Sequence, residues 1–504
     1  MVASNASIGY IIANPGDVTP GLGGEASIDS SKPYVSVETV EIVHHATGEA
    51  VACVSQANSG LIVRDIGRMD DTVLERFAVS ELLDMCKRAA DVFMTATLPI
   101  GDGEQSFDDY INCLSATTGM PITYCRNNAR KIQHTLSEMA AVIAGLTRGF
   151  DLEILDRGYG TDDHRTLSFR RAGRIFGAVL PSNSPGVHSL WIPAIALKTP
   201  IVLKPGREEP WTPLRIIEAL AAAGVPREAF GFYPTDHAGA AELLRVVDRA
   251  MLFGDASTTE SWANDPRIQI HGPGYSKVLL DDVAADDWER HLDVIESSIL
   301  ANGGRSCINA SAVWTPRNGR ALAEALAERL AKIEAKPADH PDAQIAAFAN
   351  PIVAESISGA IDRGLLHGLE YSRRAGMPPA VDLTERIRGS SRLVKRGRVA
   401  FLLPTIIWCD DPDHPLCNRE FLFPYASVVE YPVQRMPEAI GPTLVATAIT
   451  GDSAFISALM ASPNVDRLNI GSIPTWQIAW DQPHEGNLFE HLYRQRAFQT
   501  EAVV

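Results

Sequence analysis

The stretch GRIFGAVLPSNSPGVHSLWIPAIALKTPIVLKPGREEPWTPLRIIEALAAAGVPREAFGFYPTDHAGAAELLRVVDRAMLFG (173–254) decides the architecture. Short apolar runs at 173–181, 200–205, 230–234 and 250–254 read as strands. Between them lie HSLWIPAIALKT, TPLRIIEALAAAGVP and HAGAAELLRVV, whose apolar residues recur at helical spacing. Strands alternating with helices of about 10–15 residues imply an α/β fold, a parallel sheet with helices on both faces. Such sheets bind ligands beyond the carboxyl ends of their strands. The loops at 181–186, 204–210 and 254–258 are therefore where a site is expected.

Outward from this core, residues 1–35 are rich in Gly, Ser and Pro without periodicity and read as an extended arm. Residues 37–55 alternate as strands around a turn at HHATGEA, and helical stretches follow near 70–95, 105–118 and 126–148. TLSFRRAGRIFGAVLP (166–181) reads as strands. A second α/β pattern occupies 278–440, and TLVATAIT, VDRLNIGSIP and the polar helix NLFEHLYRQRAF form the tail.

At 504 residues the chain is too long for one core. A net charge of -17 offers no basic stripe for phosphates, which argues against nucleic acid and anionic membrane surfaces. The seven cysteines, at 53, 86, 113, 125, 307, 409 and 417, are odd in number and contain no CxxC pair. Neither a disulfide framework nor a structural zinc is expected, and a reducing cytoplasm fits. MVASNASIGYIIANPGDV lacks a basic region followed by an apolar core, so no secretory signal is expected. Apolar runs are broken well before about 18 residues, so no membrane span is expected.

The segment ILANGGRSCINASAVW (299–314) carries the chemistry. An apolar helix meets Asn302-Gly303-Gly304, where glycines let the backbone turn sharply and approach a ligand closely. Cys307 just beyond them is exposed to whatever fills that space. A thiolate there attacks a carbonyl well if its pKa is lowered and an oxyanion donor is near. For a lone cysteine, a buried structural role is the competing reading.

Several separated segments decide between the two. NGGRSC resembles the nucleophile segment of the aldehyde dehydrogenase superfamily, Asn-x-Gly-Gln-x-Cys. LPSNSP (180–185) resembles its Pro-Trp-Asn-Phe-Pro turn, and VLKPGREEPWTP (202–213) its Lys-Pro-x-Glu segment. LFGDAST (252–258) resembles its Gly-Ser phosphate turn, and REFLFP (419–424) its Glu-Ile-Phe-Gly-Pro. LNIG (468–471) and HHATGEAV (44–51) resemble its late strand and early turn, and all lie in family order. The resemblance implies a Rossmann-like cofactor domain, an α/β catalytic domain and a small β oligomerisation element. It implies that Cys307 forms a thiohemiacetal and then a thioester, with NAD or NADP as hydride acceptor. Asn183 and the Cys307 backbone N–H would hold the oxyanion. Lys204 and Glu420 would bind ribose hydroxyls, and Pro181, Gly254 and Ser257 would lie along the dinucleotide.

Departures from the pattern bear on function. Hydrolytic members carry a glutamate in Glu-Leu-Gly-Gly-Lys-Ser-Pro that activates the deacylating water. The matching stretch, IHGPGYSKVLL (270–280), has His271 at that position. With no carboxylate base there, coenzyme A becomes the expected acyl acceptor, as in CoA-acylating members. The alternative is that His271 is itself the base and the product a carboxylic acid. An inactive member kept as a binding or structural subunit is the reading from another class. Arg207 stands where an acid favouring NAD is common, and a guanidinium there suits a 2′-phosphate. Glu208 and Glu209 follow at once and could serve as that acid after a one-residue shift. Arg305 could orient an acidic substrate, whereas His188 reads as structural.

The expected division places the cofactor domain at 36–151 and 173–277 with a return near 441–480, and the catalytic domain at 278–440. Residues 152–172 and 481–504 are assigned to oligomerisation, and the resemblance implies a homodimer or homotetramer. The expected substrate is a small aldehyde or acyl-CoA. No cluster has metal-ligand spacing.

Overall fold

The computed structural model describes residues 6–8, 35–375, 380–479, 481–482 and 485–499. The arm expected over 1–35 falls, apart from Ala6–Ile8 and Val35, outside them. Ala6–Ile8 pairs in parallel with Ala50–Ser55.

The stretch at 173–254 forms part of a five-stranded parallel sheet. Its order is Phe230–Phe232, Ile201–Lys204, Phe176–Val179, Arg249–Phe253 and Ile268–His271. The chain starts in the middle, winds outward to Phe230–Phe232, then crosses back to Arg249–Phe253. The winding therefore reverses between Phe176–Val179 and Arg249–Phe253, and a crevice opens where their following loops diverge. Both strands are almost wholly buried, as a sheet covered on both faces requires. The expected helix HSLWIPAIALKT differs: it is a 3₁₀ segment, Pro185–Leu190, followed by the short helix Pro193–Ala196. Pro193 has no N–H to continue the ladder and starts the second helix instead.

A seven-stranded sheet forms the second half. Its order is Val381–Asp382, Thr405–Cys409, Tyr425–Glu430, Ala312–Thr315, Lys277–Leu280, Thr443–Ile449 and Val465–Ile470. Only the edge strand Val381–Asp382 is antiparallel. This corrects the expected return of 441–480 to the cofactor domain. Thr443–Ile449 pairs with Lys277–Leu280 in the catalytic sheet, in register Lys277↔Ala446, and carries Val465–Ile470 with it. Residues from 152–172 and 481–504 do meet: Tyr493–Gln495 pairs with Arg165–Arg171, which pairs with Tyr159–Asp162. Among the described residues no helix is long and apolar enough to cross a membrane.

Candidate active site

The loop that carries Cys307 is built on backbone that few residues tolerate. Helix Leu292–Leu300 buries Ile295 and Ile299 and stops. Asn302, Gly303 and Gly304 then follow in the left-handed region, with φ of 53°, 66° and 68°. Asparagine enters that region more readily than most residues because its amide bonds locally. Here Asn302 accepts from Asn128 Nδ2 at 2.7 Å and donates to Ser184 Oγ at 3.1 Å and Ser306 Oγ at 3.3 Å. Gly304 must be glycine, because a β-carbon there would collide with the backbone of Phe423 and Pro424. That approach seats the 419–424 segment against the loop. The Cys307 carbonyl accepts from Ser276 Oγ at 2.8 Å.

Cys307 borders a cavity of about 1270 Å³ shared with Asn183, His271, Glu420 and Glu485. Its Sγ donates to Glu485 Oε1 at 2.8 Å. The other carboxylate oxygen, Oε2, lies 2.7 Å from His271 Nδ1. His271 is 7% exposed, stacks on Phe253 with centroids 4.5 Å apart, and its buried Nε2 has no hydrogen-bond partner. Burial, and then the Glu485 charge and hydrogen bond, hold the Cys307 thiol well above its ordinary range. This shift is opposite to the lowering that attack by a Cys307 thiolate was expected to require.

Position 271 carries no carboxylate, as the sequence reads, but Glu485 of the C-terminal segment places one against Cys307. Sequence reasoning missed it, and its one local signal is a carboxylate beside a glycine just ahead of helix Leu488–Leu492. Asn183 meets this loop, its Nδ2 donating to the Arg305 carbonyl at 2.9 Å. Arg305 lines the same cavity. It donates to the Thr118 carbonyl at 3.1 Å and lies 5.6 Å from the Phe348 ring centre.

Comparisons with known proteins give the family and the fold. The model of the aldehyde dehydrogenase family matches residues 34–441. The chain belongs to the aldehyde dehydrogenase family. A Staphylococcus haemolyticus protein, named provisionally as an aldehyde dehydrogenase, is 22% identical over 420 residues, covering 80% of each chain. An NAD-dependent aldehyde dehydrogenase from Sinorhizobium meliloti shares the fold at a TM-score of 0.74 and 15% identity, covering 100% of this chain and 97% of its own. The glyceraldehyde-3-phosphate dehydrogenase GapN from Methanocaldococcus jannaschii, complexed with NADP, does so at 0.71 and 14%, covering 92% and 99%.

For an aldehyde dehydrogenase, the residues expected to hold the cofactor fall into two groups. Pro181, Gly254 and Glu420 line the cavity, and Lys204, Arg207 and Ser257 do not. Ser257 is exposed, and its hydroxyl donates to Asp255 Oδ1 at 2.7 Å. Asp255 in turn caps the short helix Ala256–Thr259, so Ser257 serves that cap. Arg207 is exposed. Lys204 ends its strand, and burial lowers its ammonium pKa. Glu420 accepts from the backbone N–H groups of Gly274 at 2.9 Å and Tyr275 at 2.7 Å, so one of its oxygens supports that turn. Of the two acids after Arg207, Glu208 lines the cavity while Glu209 is buried against His188.

The site nevertheless fits a nicotinamide dinucleotide. Its cavity opens at the carboxyl ends of Phe176–Val179 and Arg249–Phe253, where the winding reverses. At Gly272, which lines it, a β-carbon would enter open space. Among the described residues no group of three or more His, Cys, Asp or Glu could hold a metal.

Proposed function

We propose that this chain oxidises an aldehyde to a carboxylic acid with NAD or NADP, through a thioester on Cys307 that water discharges. The observation that carries this is His271: its Nδ1 is held by Glu485, and its Nε2 is buried, unpartnered and beside the cavity. A ring nitrogen so oriented is a general base awaiting a proton donor.

Cys307 adds to the aldehyde carbon, and the Asn183 amide with the Cys307 N–H takes the oxyanion. One such donor contributes about 3 kcal/mol to the transition state. A nicotinamide ring, when bound, supplies a hydride acceptor. Pro181, Gly254 and Gly272 would border it, with Glu420 toward the ribose. His271 then takes a proton from water as the oxygen attacks the thioester.

Coenzyme A was favoured by the missing carboxylate at 271. Glu485 puts a carboxylate beside the same thiol, which removes that argument, so water is the acceptor proposed. The test is an aldehyde panel with NAD or NADP, with and without coenzyme A, following absorbance of the reduced cofactor. Steady turnover without coenzyme A, lost in His271→Ala and Cys307→Ala, is expected. Strict dependence on coenzyme A would overturn water as acceptor. Turnover surviving in Cys307→Ala would overturn the thioester, and a chain that binds no nucleotide and turns nothing over is the inactive member.

A further inference from the structure

We propose that Glu485 is the base that takes the proton of Cys307, so that one carboxylate serves the nucleophile through one oxygen and His271 through the other. The first role rests on the reading of Cys307 as the attacking nucleophile, and the second on water as acceptor.

The Glu485 side chain is 7% exposed, with Oε1 2.8 Å from Cys307 Sγ and Oε2 2.7 Å from His271 Nδ1. A buried carboxylate sharing its two oxygens between a thiol and an imidazole is placed to exchange protons with both. Its backbone is held in a conformation that glutamate disfavours, at a φ of 54°. Such a residue persists only where its surroundings over-determine it, and such residues cluster at active sites. Here strand Ile268–His271 does the holding. Gln269 and His271 are two apart, so they share a face of the strand. Gln269 Nε2 donates to the Glu485 carbonyl at 2.9 Å, while His271 meets the carboxylate. The next residue, Gly486, turns at a φ of 88°, with no room for a β-carbon beside Gln269. The same strand thus positions the acid by its main chain and by its side chain.

The step balances. As Sγ bonds to the carbonyl carbon, the S–H proton passes to Glu485 Oε1 and the carbonyl π pair moves to oxygen. Return of that proton to the oxyanion would complete a neutral thiohemiacetal, with nothing oxidised. Neutral Glu485 at that moment no longer repels the sulfur. The other ionisable groups that bear on this chain of three are Glu420 and Asp466, coupled to Glu485, and His491, coupled to His271.

The test reads Cys307 without any aldehyde. The full-length protein is alkylated with iodoacetamide across the pH range, with Cys307→Ala as background. Wild type is expected to show two rises in rate, one as the carboxylate ionises and one as the free thiol ionises. Glu485→Gln loses the lower rise, with a fall of about 100-fold on that limb. Its remaining rise moves down in pH, because a neighbouring negative charge is gone. Glu485→Asp keeps a lower rise, which separates loss of the base from loss of folding. A single profile shared by wild type and Glu485→Gln would overturn the proposal. So would faster reaction of Glu485→Gln at every pH, the mark of a carboxylate that only suppresses the thiolate. Failure of the aldehyde reading is distinct: no aldehyde is turned over, while the alkylation profile still reports on Glu485.

Discussion

Gly274 lies so close to Cys307 that a β-carbon on it would sit 2.1 Å from the Cys307 carbonyl oxygen. The turn at 272–274 is therefore in contact with the Cys307 peptide group. Gly274→Ala must push the Cys307 loop away or break the Ser276 hydrogen bond to that carbonyl. Overpacking of this kind costs about 1–3 kcal/mol. A displacement of about 1 Å at the reacting centre costs about 100-fold in rate. Gly274→Ala is expected to keep its fold, with a modest fall in denaturation midpoint, and to lose most of its activity. Wild-type turnover in this variant would show that the loop position is not critical.

Asn183 rests on the Arg305 carbonyl, two residues before Cys307. If its amide serves the oxyanion, Asn183→Ala lowers kcat by about 100- to 1,000-fold. Nucleotide affinity, measured by calorimetry, is expected to change little. Equal losses in nucleotide binding and turnover would point to collapse of the 181–186 loop instead.

That loop has its own anchor. Trp191 Nε1 donates to His188 Nδ1 at 2.9 Å, which leaves the His188 proton on Nε2, 2.9 Å from Glu209 Oε2. Glu209 Oε1 accepts from the Thr212 N–H at 2.9 Å. His188 and Glu209 side chains are 0% and 1% exposed. Truncating the acid strands buried donors with no water to replace it. Glu209→Ala is expected to cost about 3 kcal/mol in urea unfolding. An isosteric Glu209→Gln should cost less, because its carbonyl oxygen still accepts. Indistinguishable midpoints for Glu209→Ala and wild type would refute this account.

What the sequence made legible follows from how local each signal is. Cys307, Asn183 and Gly254 sit in short motifs whose turns are dictated by neighbouring residues, and the structure gathers them on one cavity. The doubly wound strands were legible because burial on both faces makes them continuous apolar runs. Thr443–Ile449 reads as a strand for the same reason, but an apolar run does not say which of two parallel sheets it joins. Glu485 was out of reach for a stronger reason. It stands 178 positions from Cys307, in a segment assigned from the sequence to oligomerisation, and its place beside Cys307 arises from contacts made across the fold. His271 marks a departure from the family's pattern, but nothing near it in the sequence points to Glu485.

Glu420 offers a pH dependence of folding. Burial pushes its carboxyl from the ordinary 4.5 up to about 7, opposed by the N–H groups of Tyr275 and Gly274 and reinforced by the Glu485 charge. An acid whose folded pKa is raised binds its proton more tightly folded than unfolded. Its contribution to stability is present below the unfolded pKa and is lost as pH rises through the folded one. Stability should therefore decline between 4.5 and about 7 on account of this group, then level off. Glu420→Gln can still accept from Gly274 and Tyr275 through its carbonyl oxygen, and it does not titrate. Urea midpoints measured across that window should fall more steeply for wild type than for Glu420→Gln. Parallel curves would mean that the carboxyl titrates at its ordinary value and that its two backbone donors fully offset its burial.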